Sequence, residues 1–258
     1  MRDFHRAHPA TELDVVTLFD ADAAIDAVRS GVIDASFRAV TVAPHQLPDG
    51  IEVARVYDEP LQLLTGPAHE FGARAVTPAE LASLRIWMPG IVTGTEWAAY
   101  YKELAAAFGL TIDTVGPDFG TEPLLDVIAD SSAVATFVGE QTRLLWPADY
   151  GLRRIALCDP TPVYPHSLIW RGDNPHPALT GLCDYLGSAP LDAGTWTPKW
   201  AQSPPPSAPE PSLSPQPPGR PSHGAGSRAP PYTSRLDRAA TKASGWTTWS
   251  ALSVHKCA

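Results

Sequence analysis

The sequence has little cysteine for its 258 residues, with only Cys158, Cys183 and Cys257. An odd number without Cys-x-x-Cys spacing argues against a disulfide framework and against the usual zinc sites. Free thiols are typical of proteins in a reducing compartment. The cysteines therefore predict a cytoplasmic protein without a structural metal.

Long apolar runs are absent too. No stretch approaches the roughly 20 apolar residues of a membrane span, and the first residues contain no apolar signal core. No Walker loop, GxGxxG or GxSxG motif occurs, and the eight histidines show no HExxH spacing. We therefore expect no membrane partner, no metal, no cofactor and no enzymatic activity.

Positive charge is scarce in most of the chain. Residues 1–198 carry 26 acidic and 12 basic side chains, whereas residues 199–258 carry 2 acidic and 7 basic ones. A surface with this excess of negative charge repels phosphate backbones. The larger part of the chain is therefore not expected to bind nucleic acid.

What the sequence does contain is an alternation of strand and helix patterns. Residues 12–18 predict a strand with apolar side chains on both faces, which is typical of a sheet covered by helices. A helix capped by Asp20 and ended near Gly31 follows. Its apolar positions recur on one face at helical spacing: Ala21, Ala24, Ile25 and Val28.

The alternation continues along the chain. Further strands are predicted at 53–56, 61–64, 86–88, 110–115, 133–138, 153–157 and 166–171. Further helices are predicted at 78–84, 96–108, 122–129, 140–145 and 178–186, with Thr77 and Thr121 as N-caps. This order predicts an α/β fold with mainly parallel sheets.

The composition changes towards the C-terminus. Eleven of the 28 prolines lie between Pro204 and Pro231, among serine, glycine and arginine. Such a segment buries too little apolar surface to offset its ordering entropy. We expect residues 189–258 to form a disordered tail, which is either a natural linker or the product of a frameshift.

Several segments, taken in order, resemble the effector-binding domain of LysR-type transcriptional regulators: FHRAHP, AVRSGVIDASF, DEPLQLLTGPAH, TPAEL and SLIWRGDNPHPAL. The resemblance implies two α/β subdomains joined by two crossing strands, as in type 2 periplasmic binding proteins. It assigns residues 1–62 and 163–188 to subdomain I and residues 63–162 to subdomain II.

The same resemblance implies the function. A small metabolite, such as a carboxylate, would bind between the subdomains and change the DNA affinity of the regulator. The winged helix-turn-helix and the first strand of the effector domain would lie before Met1. Without that first strand, a sheet edge would be left unpaired. DNA contact would therefore need a missing N-terminal domain. The alternatives are a stand-alone solute-binding-like domain and a non-functional gene remnant.

Seven residues are candidate effector contacts. Thr93, Gly94 and Thr95 precede a helix whose free N–H groups favour an anion, although Thr95 could simply cap that helix. The others are Phe137, Val138 and Gly139, which follow a buried strand, and Asp20. The alternatives are core packing for Phe137 and helix capping for Asp20.

The family resemblance also implies a homodimer. The helix over Ala21–Ser30 would pack against the second subdomain of a partner chain, head to tail. Alternatively, Ile25 and Val28 face the sheet of their own subdomain.

Overall fold

The computed structural model describes residues 2–9, 11–69, 71, 75–116, 120–187, 194–202 and 251–256. Residues 1–202 and 243–258 form one compact unit. The second unit, 203–242, lies outside the described residues.

Within the described residues the chain forms ten strands and five α-helices. The strands are β1 (Thr11–Val16), β2 (Ala35–Arg38), β3 (Ile51–Thr65), β4 (Arg85–Trp87), β5 (Thr111–Asp113), β6 (Val134–Gly139), β7 (Arg153–Ala156), β8 (Thr161–Arg171), β9 (Thr195–Trp196) and β10 (Ala251–Lys256). The helices are α1 (Arg2–Ala7), α2 (Ala21–Arg29), α3 (Glu96–Phe108), α4 (Thr121–Asp130) and α5 (Pro177–Leu186). Short 3₁₀ turns cover Pro44–Gln46, Pro78–Ser83, Ala148–Tyr150 and Lys199–Ala201.

The long strand β3 divides the sheet into two lobes. Residues 51–60 of β3 pair with β8, and residues 61–65 pair with β6 and β7. The first lobe contains β1, β2, β8, β10 and residues 51–60 with α1, α2 and α5. The second lobe contains residues 61–65 and β4–β7 with α3 and α4. A single strand therefore replaces the two short strands predicted at 53–56 and 61–64.

The prediction of mainly parallel sheets is wrong. Among the described strand pairings, only β4–β5, β4–β6 and β8–β9 are parallel, besides the isolated bridge Val76↔Leu157. The predicted strand–helix–strand units do form, but β3 and β8 run antiparallel over nine register pairs at the centre of the sheet. The alternation of strand and helix along the chain predicts that two consecutive strands run in the same direction. It does not predict which strand from a distant part of the chain pairs with them.

The amphipathic helix forms as predicted. Asp20 caps α2, since its Oδ1 accepts a hydrogen bond from the Ala23 N–H at 2.8 Å. The predicted apolar face is buried, and Ile25 and Val28 pack against residues of the same lobe, including Ile169. These two side chains therefore face their own sheet.

Other caps show smaller differences. Thr77 forms the predicted capping box with Glu80, but the turn that follows is a 3₁₀ turn. The helix α3 begins and ends as predicted, with Gly109 in the left-handed region at φ 66°. Thr121 is not a cap, because α4 already begins there and Gly120 is the residue before it.

The helix predicted at 140–145 does not form. The guanidinium of Arg154 donates hydrogen bonds to the carbonyl oxygens of Gly139, Glu140 and Thr142. These contacts hold the segment in a turn, in which the Thr142 N–H donates to the Gly139 carbonyl three residues back instead of the four residues of an α-helix. A contact from a neighbouring strand thus overrides the local pattern.

The prediction of a disordered tail is wrong for two segments. Residues 194–202 contain β9 and a 3₁₀ turn, because Trp196 and Trp200 pack against the core of the second lobe. Residues 251–256 form β10, which lies between β1 and β2 and is antiparallel to both. The rest of the predicted tail, 189–193, 203–250 and 257–258, lies outside the described residues.

The position of β10 bears on the sheet edge that was predicted to be unpaired. All six residues of β1 pair with β10, and β10 meets β2 at the pair Leu252↔Ala35. Among the described strands, β10 is the neighbour of β1. The strand β10 therefore pairs with a strand that would otherwise be left with an unpaired edge.

Candidate functional site

The two lobes meet at a buried ion pair. Arg38 ends β2 in the first lobe, and Glu96 begins α3 in the second. The Arg38 Nη1 lies 3.0 Å from the Glu96 Oε1, and the two side chains are 5% and 2% exposed. A pair this well shielded from water interacts far more strongly than a surface pair.

The second carboxylate oxygen of Glu96 also reaches the first lobe. Its Oε2 accepts a hydrogen bond of 3.1 Å from the Ala21 N–H, the first N–H of α2. Helix N-termini favour negative charge, because their N–H groups have no partners within the helix. The carboxylate of Glu96 thus lies in an anion site built by the other lobe.

The guanidinium of Arg38 has a further partner within its own lobe. Its Nη2 donates a hydrogen bond to the Leu18 carbonyl oxygen, just before α2. Its Nε is buried and has no hydrogen-bond partner among the described residues. Arg38 therefore binds Glu96 through one nitrogen and retains an unused donor.

An aromatic cluster lies beside the ion pair. We define it as Trp97, Tyr100, Tyr101, Phe137 and Tyr164. The rings of Tyr100 and Tyr164 meet edge to face at 4.8 Å, and those of Tyr101 and Phe137 stack at 6.2 Å. Trp97 lies 5.8 Å from Tyr164. Such ring pairs add about 0.5–1.5 kcal/mol to the energy of burial.

Two hydroxyl groups of this cluster lack partners. The hydroxyls of Tyr100 and Tyr164 are buried without a hydrogen bond to any described residue. Burial raises the pKa of Tyr100 well above its ordinary value of 10.0. Burial, followed by the charge of Glu96, does the same to the pKa of Tyr164. Both groups therefore remain neutral and can act as donors.

A second acidic group lies on the strands shared by the lobes. Glu59 accepts a hydrogen bond from the Gln141 N–H at 3.2 Å and lies 3.4 Å from the Nε2 of His166. Its carboxylate passes over Gly139, where an added Cβ would lie 2.2 Å from the Glu59 Oε1. Tyr57 stacks on His166, and burial together with Glu59 raises the pKa of Tyr57 to about 12.

The loop residues predicted as effector contacts precede this site. Thr93 and Gly94 are exposed. Thr95 caps α3, because its Oγ1 accepts a hydrogen bond from the Ala98 N–H at 3.2 Å and donates one to the Val92 carbonyl at 2.7 Å. The loop thus positions Glu96, the residue that reaches the other lobe.

The other predicted residues lie at different places. Phe137 belongs to the aromatic cluster and is 1% exposed, whereas Val138 packs on the opposite face against α4. Gly139 contacts Glu59, and Asp20 caps the helix whose first N–H binds Glu96. The structure brings Phe137, Gly139 and Asp20 near the lobe junction, while Val138 lies in the core behind it.

Sequence reasoning missed the central residues of the junction. Arg38 follows the buried residues Ala35–Phe37, and a charge at the end of a buried strand is a signal that could have identified it. The predicted helix at 96–108 gives Glu96 a place in its first turn and no other role. No pattern in the sequence connects the two, since they are 58 positions apart.

The described residues contain neither a membrane-spanning helix nor a metal cluster. None of the helices there is long and apolar enough to cross a membrane. No group of three or more His, Cys, Asp or Glu side chains in that part of the chain could hold a metal ion.

Solved structures share this architecture. The effector-binding domain of BenM with its effector benzoate is 17% identical, with a TM-score of 0.56 over 72% of this chain and 81% of that one. Full-length CbnR complexed with its target DNA is 19% identical, with a TM-score of 0.57 over 72% of this chain and 62% of that one. A full-length OxyR variant from Pseudomonas aeruginosa is 17% identical, with a TM-score of 0.52 over 72% and 63%.

These likenesses confirm the predicted fold class, the two-lobed architecture of type 2 periplasmic binding proteins. The chain spans little more than three fifths of the full-length regulators. No curated protein matches it. The model of one family, the LysR substrate binding domain, matches residues 1–190. The chain therefore belongs to the LysR substrate-binding domain family.

Proposed function

We propose that this chain is an effector-sensing domain that binds a small carboxylate between its lobes. The observation that carries the proposal is the buried Arg38 at the junction, whose guanidinium binds the same carboxylate as the first N–H of α2. A guanidinium beside a helix N-terminus is well suited to a carboxylate.

The aromatic cluster narrows the ligand class. Its ring faces suit a planar or aromatic acid, and the hydroxyls of Tyr100 and Tyr164, which bind none of the described residues, suit a second polar group on that acid. The candidate contacts are Arg38, Tyr164 and Trp97, together with the predicted Thr93–Thr95 loop and Gly139. We assign residues 1–62 and 163–188 to subdomain I and residues 63–162 to subdomain II, and the run of β3 and β8 through both boundaries supports this division.

The proposed role is non-enzymatic. Effector binding favours one arrangement of the lobes over another, and a regulator transmits that preference to its DNA affinity. The acidic residues 1–198 do not suit DNA, so we assign promoter contact to a separate DNA-binding segment of the regulator. Such a domain works in the cytoplasm, where promoters and metabolites meet.

A thermal-shift panel tests the effector proposal. A cognate carboxylate should raise the melting temperature, since a ligand at one hundred times its Kd adds about 2.7 kcal/mol to the free energy of unfolding. The matched amide of the same acid should have no effect, because it cannot pair with Arg38. A cooperative melt that no acid in a broad panel shifts would contradict the proposal.

We also propose a homodimer built on the outer surface of α2. Phe19 and Val32 flank this helix and are 64% and 67% exposed, an apolar pair that suits a partner chain. The Phe19→Lys variant should shift the protein from dimer to monomer in analytical ultracentrifugation. The control is Tyr185→Lys. Tyr185 lies on α5, which packs on the opposite face of the first-lobe sheet from α2, so this variant should remain dimeric. Wild-type protein that sediments as a monomer would refute the dimer.

A further inference from the structure

Glu96 occupies the junction in the way a bound carboxylate would. One of its oxygens pairs with the Arg38 guanidinium and the other accepts the Ala21 N–H, so both of its contacts belong to the opposite lobe. Both first-lobe groups exist without Glu96, because Arg38 is also held by the Leu18 carbonyl and α2 by the Asp20 cap. The anion position is therefore formed by the first lobe alone.

Glu96 does not use this position fully. The Arg38 side chain is only 5% exposed, yet its Nε has no partner among the described residues. A guanidinium can bind a carboxylate through two parallel hydrogen bonds, which are stronger than one. Glu96 is tethered to the first turn of α3 and divides its two oxygens between Arg38 and Ala21. A free carboxylate has no such tether and can turn both of its oxygens towards the guanidinium.

We propose that Arg38 and the N-terminus of α2 form a carboxylate subsite that Glu96 fills from within, and that an effector acts by displacing it. This inference rests on the proposed function. Displacement removes both contacts that Glu96 makes with the first lobe, so the start of α3 is free to move with the second lobe. The chain thus carries its own competitor, which holds the lobes together until an external acid arrives.

Chemical rescue tests the inference. Glu96→Ala removes the internal carboxylate and leaves Arg38 buried without its charge partner, so the melting temperature should fall. Propionate, a small acid that matches the lost side chain, should restore it, whereas propionamide should not. In calorimetric titrations propionate should bind Glu96→Ala at least about tenfold more tightly than the wild type.

Three variants make the result specific. Glu96→Gln keeps the side-chain volume, so it provides the same affinity comparison if Glu96→Ala does not fold. Arg38→Met in the Glu96→Ala background should abolish the propionate effect. Glu122→Ala removes the equivalent first-turn glutamate of α4, which is exposed, and should show no propionate response.

The inference is wrong if propionate and propionamide act alike, or if the gain in affinity survives the loss of Arg38. Its failure can be distinguished from that of the proposed function. If an acid stabilises the wild type but propionate does not rescue Glu96→Ala, the proposed sensor function stands and the internal-competitor proposal is refuted. If propionate rescues Glu96→Ala but no acid in the thermal-shift panel stabilises the wild type, the carboxylate subsite is supported and the proposed sensor function is refuted.

Discussion

Replacing Arg38 with methionine is expected to lower the free energy of unfolding by about 3–5 kcal/mol, because it leaves the Glu96 carboxylate buried without its partner. Methionine retains much of the apolar volume of the arginine side chain, so the loss reflects charge more than packing. Denaturant unfolding of the purified variant measures the effect as a shift in midpoint at an unchanged slope.

The matched control for Arg38→Met is Arg29→Met. Arg29 pairs with Asp26 at the same distance of 3.0 Å, but those side chains are 60% and 69% exposed. Water screens such a pair, so we expect a change of about 0.5 kcal/mol or less. In the double variant Arg38→Met/Glu96→Leu, much of the loss should be recovered. Equal losses for Arg38→Met and Arg29→Met would contradict the argument.

Replacing Gly66 with alanine is expected to have the second large effect. Gly66 follows β3, where the chain passes the end of α4. An added Cβ would lie 2.3 Å from the Ile128 carbonyl oxygen and 2.9 Å from that of Ala129. Both are backbone atoms, so the helix itself must move. We expect a loss of about 3 kcal/mol or more, measured by chemical unfolding.

Gly172→Ala is the control for this substitution. Gly172 also lies in a turn outside the left-handed region, but its added Cβ would meet the Glu52 Cγ at 3.0 Å. That side chain is exposed and can rotate away, so the change should be small. If the two alanine variants are equally stable, the close approach at Gly66 is not a constraint.

The local elements of the fold were predictable from the sequence. Residues near one another in the chain determine a helix, and the Asp20 cap with its four apolar positions contained the information needed for α2. The same holds for α3, which begins after Thr95 and ends at Gly109. The order of these elements was also sufficient to predict the fold class.

The failures have a common physical cause. Residues 140–145 contain a helical pattern, but Arg154 binds their carbonyl oxygens from another strand. The composition of the tail indicated disorder, but Trp196 packs edge to face against the rings of Tyr100 and Phe108. In both cases a distant residue supplied energy that no local pattern describes.

The sequence by itself determined the helices α2 and α3 with their caps, the family and the two-lobed class of this protein, because these depend on local periodicity and on the order of motifs. Only the tertiary structure decided which strands are neighbours, and only it brought Arg38, Glu96 and the start of α2 into contact. That meeting depends on how two lobes pack, and residues 58 positions apart have no local signal that would connect them.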